Sequence, residues 1–309
     1  MKRRFYQLDV FTQTPLAGNP LAVFTDGDGL SPRLMQAIAR EMNLPETVFV
    51  QKPTGDRALA RLRIFTTLQE LPLAGHPVIG TWFLLAQLGV VPAQEGNVHI
   101  WQQTGAGILP VEIGFHDGRP VRITMTQKPA EFRAARINRG ALAQALGLGA
   151  RDLGSSASTT QSRGRGSKSN RARGSDRDGD LPVEFVSTGI SNLLVPIRNR
   201  TSLGRIEAEP HALRRVMGNA GMMAYCFTLD AQNTVYARGM LPWQIGEDPA
   251  TGSAAGSLAA YLVRHERLNL STPLEIHQGV EMGRPSRIHV EIFSERGKFV
   301  PRVSGTAVT

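Results

Sequence analysis

Three short stretches carry residue types that could move a proton on a bound anion. Glu46 stands in Asn43-Leu44-Pro45-Glu46-Thr47-Val48-Phe49, where an apolar strand begins. His76 lies in Glu70-Leu71-Pro72-Leu73-Ala74-Gly75-His76-Pro77, and Asp248 and Ser253 lie in Glu247-Asp248-Pro249-Ala250-Thr251-Gly252-Ser253-Ala254. The last two stretches share Glu, Pro and Gly at an offset of 177 residues, and each runs into an apolar helix. A glycine turn at a helix start leaves the first backbone N–H groups unpartnered and adds the positive end of the helix dipole. Two such turns, at Gly75 and Gly252, converging on one cleft would hold a small carboxylate and stabilise negative charge forming on it. A carboxyl group against apolar walls has its pKa raised, which suits a residue that takes a proton and returns it near neutral pH. The plainer reading stays open: the glycines only begin helices, and Glu46 is a surface charge at a strand end.

The differences between the two stretches are more telling than the identities. At the offset of 177, Asp248 faces Leu71 and Ser253 faces His76; at 178, Glu46 faces Ala224. A site built here is asymmetric, because Glu46, His76, Asp248 and Ser253 each lack a twin of their own type. Other chemistries are excluded by counting. One cysteine, Cys226, allows no internal disulfide, no cysteine-rich zinc site and no two-thiol mechanism. The seven histidines are scattered without an i, i+4 pair, so no metal site is expected.

The elements that would position these residues follow from hydrophobic periodicity. It predicts strands near 5–11 and 20–24, a helix near 31–42 with Ser31 as N-cap and Pro32 in its first turn, strands near 46–51 and 58–66, a helix near 76–89, and strands near 97–103, 107–115 and 119–126. After a short helix near 140–146 the order recurs: strands near 183–188 and 192–198, a helix near 210–220, strands near 223–228 and 233–240, a helix near 252–266, and strands near 273–278, 286–293 and 298–306. A shared element order and a shared motif indicate a duplication, and equivalent loops of duplicated halves tend to face one cleft.

The chain has 309 residues, 41% hydrophobic and 20% charged, which suits one large or two medium globular domains. Its longest nearly apolar stretch, 80–91, is too short for the roughly 18 to 20 residues of a membrane helix. Met1-Lys2-Arg3-Arg4 is followed by an alternating pattern rather than an apolar signal core, so a cytoplasmic protein is expected. The net charge of +9 would suit an anionic ligand or nucleic acid. Residues 151–180, rich in Ser, Gly and Arg, form a basic segment expected to be a flexible insertion. That segment carries the alternative function, a non-catalytic protein contacting nucleic acid or an acidic partner. Nucleic acid is disfavoured, because no aromatic residue is interleaved for base stacking and aspartates close the segment.

With these residues in view, the chain resembles the PhzF-like proteins of phenazine biosynthesis, which share the diaminopimelate epimerase fold. The similarity rests on Asp9-Val10-Phe11 with Gly18-Asn19-Pro20, on the three stretches around Glu46, His76 and Asp248, and on Gln278-Gly279 through Gly283-Arg284-Pro285-Ser286. The resemblance implies an α+β fold of two pseudo-symmetric domains, each a curved, mostly antiparallel sheet around a central helix. The expected division is 1–128, completed by the C-terminal strand 298–309, and 129–297, which contains the insertion. It further implies a homodimeric isomerase that uses no cofactor and acts on a small cyclic carboxylate, as in trans-2,3-dihydro-3-hydroxyanthranilate isomerisation. In that role Glu46 is the general acid/base, while His76, Asp248, Ser253, Gly75, Gly252 and Asn19 bind substrate or assist. Epimerase relatives carry two cysteines at positions that fall on Ala74 and Thr251 here, which leaves the single carboxylate as the proton carrier.

Overall fold

The computed structural model describes residues 2–154, 181–230, 233–243 and 246–309. The first half runs β1 (Phe5–Val10), β2 (Asn19–Phe24), α1 (Pro32–Met42), β3 (Glu46–Gln51), β4 (Ala60–Phe65), β5 (Glu70–Leu71), α2 (Gly75–Gln87), β6 (Gly96–Thr104), β7 (Gly107–His116) and β8 (Arg119–Thr126). β9 (Glu131–Ala134) and α3 (Arg139–Ala145) lead into the second half. It contains β10 (Glu184–Ser187), β11 (Ser191–Pro196), α4 (Arg200–Gly204), α5 (Pro210–Met217), β12 (Ala224–Leu229), β13 (Thr234–Met240), β14 (Glu247–Asp248), α6 (Gly252–Arg264), β15 (Leu274–Gln278), β16 (Ser286–Glu295), β17 (Lys298–Gly305) and β18 (Ala307–Val308).

The strand pairing repeats along with the element order. β1 pairs β2 antiparallel, β2 pairs β3 parallel, β3, β4 and β5 pair antiparallel in turn, β4 pairs β6 parallel, and β6, β7 and β8 form an antiparallel meander. The series β10 to β17 follows the same scheme, with β11–β12 and β13–β15 as the parallel pairs. The halves are stitched together by β17 on β8 and by β18 on β1. A parallel pair aligns strand starts, so Asn19, opening β2, and Glu46, opening β3, come to the same sheet end.

α2 and α6 are core helices. Every residue from His76 to Ala86 is buried, and so is every residue from Ala254 to Leu262. α2 packs on β1, β2, β3, β7, β8 and β18, and α6 on β10, β11, β16 and β17. A helix apolar on all sides has no solvent face to offer, so the sheet must wrap around it. The outer helices α1 and α5 are amphipathic by contrast, burying only Met35 and Ala39, and Leu213 and Met217. Both begin with proline and a side-chain cap, from Ser31 and Glu209.

The glutamates repeated between the halves are braces. Glu70 receives Nε and a terminal guanidinium nitrogen of Arg63 at 2.8 and 2.6 Å, and Glu247 receives the same groups of Arg238 at 3.0 and 2.7 Å. Each bidentate pair ties a two-residue strand, β5 or β14, to the longer strand before it.

The expected strands at 46–51 and 119–126 match β3 and β8 to the residue. The helix expected to reach 220 stops at Met217, because Gly218 turns the chain with φ of +58°. The segments α4, β5, β9 and β14 are too short for periodicity to register, and the expected C-terminal strand 298–309 is divided into β17 and β18. Residues 151–154, the start of the expected flexible insertion, are ordered. Arg151 and Asp152 belong to a 3₁₀ turn, Leu153 is buried and bridges Ile197, and Asp152 binds Ser202 and Arg205 at 2.8 Å each. The rest of that basic segment, 155–180, lies outside the described residues. No helix among the described residues is long and apolar enough to cross a membrane.

Close packing at the first core helix gives a direct test. A methyl group on Gly80 would sit 2.6 Å from Val10 Cγ2 and 2.7 Å from Leu21 Cδ2, both fully buried. Gly80→Ala is expected to destabilise by about 1–3 kcal/mol. Gly204→Ala, where a methyl meets nothing within 4 Å, should not destabilise. Thermal unfolding of the two variants checks this, and equal melting temperatures would contradict the packing described.

Candidate active site

Glu46 and His76 form the centre of the site. His76 occupies the first turn of α2, and its Nε2 lies 3.1 Å from Oε2 of Glu46. Their side chains are only 8% and 14% exposed, so neither ionises easily. Burial, reinforced by the charge of Asp248, pushes the Glu46 carboxyl up to about 8. Burial alone pushes the His76 imidazole down to about 3. At neutral pH the pair is therefore a carboxylic acid beside a neutral imidazole. The two facing atoms approach without hydrogen-bond alignment, and both are buried and unbonded. Leaving such atoms unsatisfied costs free energy that a polar ligand would recover.

Asp248 is held from several sides. Asn19 Nδ2 donates to its Oδ1 at 2.9 Å and to the carbonyl of Ala250 at 2.9 Å, which ties β2 of one half to β14 of the other. Thr251 Oγ1 donates to Oδ2 in a very short contact. Burial raises the Asp248 carboxyl to about 6, against the downward pull of these hydrogen bonds. Behind them sits Gln278, fully buried. Its Nε2 donates to the Asp248 carbonyl at 2.7 Å and to Thr251 Oγ1 at 3.0 Å, while its Oε1 accepts from Tyr225 at 2.8 Å and from the Thr251 N–H at 3.0 Å. Three of these bonds hold the turn that leads into α6, and the fourth ties Gln278 to Tyr225 of β12.

The two core helices meet end to end. A Cβ built on Gly75 would lie 3.4 Å from the Gly252 Cα. Neither N-cap residue, Ala74 or Thr251, caps its helix with a side-chain hydrogen bond. Two positive dipole ends with free N–H groups thus share one small space, a setting that favours a bound anion. Ser253 lies in the first turn of α6, at the place His76 holds in α2, and its carbonyl takes the hydroxyls of Ser257 and Thr188 at 3.0 and 3.3 Å.

The sequence-derived residues Glu46, His76, Asp248, Asn19, Gly75 and Gly252 are therefore brought together, with Ser253 one residue beyond Gly252. Thr251, Gln278 and Tyr225 went unrecognised as site residues. Gln278 and Thr251 stand in motif stretches, but nothing in a linear sequence signals a bond between residues 27 positions apart. Cys226 is buried, and burial pushes its thiol up, away from reactivity. Among the described residues, the group able to approach a metal ion is Glu95, His116 and Asp117, all exposed and outside this cleft.

Comparison with known proteins identifies the family and the fold. A family model described as phenazine biosynthesis-like protein matches residues 8–309. A Pseudomonas fluorescens protein named trans-2,3-dihydro-3-hydroxyanthranilate isomerase is 34% identical over 307 residues, spanning 98% of this chain and 95% of its own. The crystal structure of a Bacillus anthracis phenazine biosynthesis protein of the PhzF family superposes with a TM-score of 0.82 at 28% identity, covering 100% of this chain and 97% of that one. A hydroxyproline epimerase from Agrobacterium vitis, at 15% identity and a TM-score of 0.61 over 100% and 92% of the two chains, shares the fold alone.

The coupling of the two carboxyl groups can be measured. In protein labelled with ¹³C at glutamate carboxyls, Glu46 should titrate near 8. Removing a neighbouring negative charge makes ionisation easier, so Asp248→Asn should lower that midpoint while burial keeps it above the model-peptide range. A midpoint unmoved by Asp248→Asn would show that the two groups do not sense each other.

Proposed function

The chain belongs to the phenazine biosynthesis-like family and is an isomerase, and within it we propose a general acid/base reaction that relocates one proton on a small cyclic carboxylate. The substrate class follows the relatives' name, trans-2,3-dihydro-3-hydroxyanthranilate. Glu46 removes a proton from a ring carbon activated by the neighbouring carboxylate and a conjugated double bond. It then returns the same proton elsewhere on the ring. No atom is gained or lost and no electron leaves the substrate, so the step needs no oxidant or co-reactant.

The observation that carries this reading is the buried, unbonded Oε2 of Glu46 beside two facing helix ends without side-chain caps. A proton carrier works best when its pKa lies near the working pH, and burial places Glu46 there. Negative charge spreads into the substrate carboxylate as the proton leaves, and the N–H groups at Gly75 and Gly252 stand ready for that charge. Asp248, braced by Asn19 and Thr251, accepts hydrogen bonds from the substrate amine or hydroxyl. His76, neutral throughout the physiological range, orients the hydroxyl without adding charge. Ser253 adds a hydroxyl to the carboxylate side. Ala74 and Thr251, at the helix starts, offer no thiol. The halves 1–128 with 298–309 and 129–297 form the two walls of the cleft. A homodimer and a cytoplasmic location belong to the same reading, the homodimer being supported by the family resemblance.

The test uses trans-2,3-dihydro-3-hydroxyanthranilate in D₂O, followed by NMR. Glu46→Gln keeps the size and neutrality of the protonated acid, so folding should survive while turnover falls by about 10²- to 10⁴-fold. Turnover unchanged in this variant would remove Glu46 from the mechanism. The native pH profile offers a second check. Because Glu46 must be ionised to accept the first proton, kcat/KM should rise with pH and level off above about 8. No limb should arise from His76 protonation between pH 5 and 7, since its imidazole is held down at about 3.

A further inference from the structure

A pocket of about 550 Å³ opens next to Phe11 and includes none of the candidate catalytic residues. Phe11 separates the two places. Its ring would touch a Cβ on Gly252 at 3.6 Å, and it fills the space that the missing side chain of Gly305 leaves. Phe11 itself holds φ of +65°, a conformation L-residues rarely adopt, kept in place by backbone bonds to Thr306 and Arg287. The backbone at the buried side of the pocket is thus pinned at both the N–H and the carbonyl of Phe11.

Its outer part is basic. Arg122 comes from β8, Arg287 and His289 from β16, and His277 from β15. Neither arginine makes an ion pair with a described carboxylate, and no acidic residue lines the pocket. Glu275 stands behind the imidazoles, 2.6 Å from His277 and 3.8 Å from His289. His277 and Arg287 are directly opposed across β15 and β16, an arrangement without mutual attraction. Burial pushes the His289 imidazole down, opposed by Glu275 and assisted by Arg122, Arg287 and His277, so these positive groups act on one small region. Two fully charged, unpaired arginines around this concavity complement a compact oxyanion, which their planar forks can grip with paired hydrogen bonds.

We propose that this pocket is a second anion site, distinct from the catalytic cleft, that takes inorganic phosphate or a small phosphate monoester between Arg122 and Arg287. The proposal is independent of the reaction assigned to Glu46, because none of these residues belongs to that machinery.

Titration of the native protein with inorganic phosphate, at ionic strength matched with chloride, tests it through the imidazole NMR signals. His277 and His289 report on the pocket, and His76 reports on the cleft. The expected result is a saturable shift of His277 and His289 with a Kd of about 1 mM or tighter, and binding weakened about tenfold or more in the double variant Arg122→Gln/Arg287→Gln. Both arginines are exposed, so the variant should fold and keep its isomerase activity. Non-saturable shifts, equal shifts with chloride, or unchanged affinity in the double variant would overturn the proposal. So would a change of oligomeric state in the double variant at constant phosphate, which would make the pocket a self-association surface instead.

Discussion

The N-terminal ends of α2 and α6 point at each other, so close that a methyl on Gly75 or Gly252 would already be in van der Waals contact with the other glycine. Like dipole ends repel, and the first turns of both helices present N–H groups that no N-cap side chain satisfies. Such a meeting persists only because both helices are clamped by sheets along their whole length. It leaves a small space with positive potential and free donors at the centre of the molecule. The brace pairs Arg63–Glu70 and Arg238–Glu247 hold the short strands that deliver each helix to this point.

Symmetry builds the space and departures from symmetry place ionisable groups in it. Leu71 and Asp248 stand in equivalent two-residue strands, His76 and Ser253 in equivalent first turns. Only one of each pair is acidic or basic, so the acid groups gather on one side of the facing helix ends. Glu46 comes from the start of β3, where its counterpart Ala224 opens β12. Asn19 then crosses between the halves to hold Asp248. The network behind it, through Gln278, Thr251 and Tyr225, keeps that carboxylate from relaxing toward a better-solvated position.

The electrostatics follow from desolvation more than from charge pairing. Glu46 and His76 are adjacent, yet burial moves their pKa values in opposite directions and leaves both uncharged near pH 7. An exposed Glu–His contact would instead tend toward an ion pair. The structure thus bears the cost of a buried, unbonded acid oxygen beside the facing helix ends, and local rules are characteristically broken at functional sites.

The sequence by itself determined the alternation of strands and helices, the duplicated order and the asymmetric residues Glu46, His76 and Asp248. These signals are local: apolar spacing of 2 or 3.6 residues, proline and serine at helix starts, and one motif recurring at a fixed offset. The tertiary structure decided which of the repeated letters of that motif lie in the cleft. Glu70 and Glu247 recur in both halves, yet they are bound by Arg63 and Arg238 as braces of short strands, while Thr251 and Gln278 join the site through bonds between residues far apart in the chain. It also decided the ionisation of Glu46, since a carboxyl group's pKa depends on how much water and charge surround it. That quantity exists only once β3, α2 and β14 have been brought together around it.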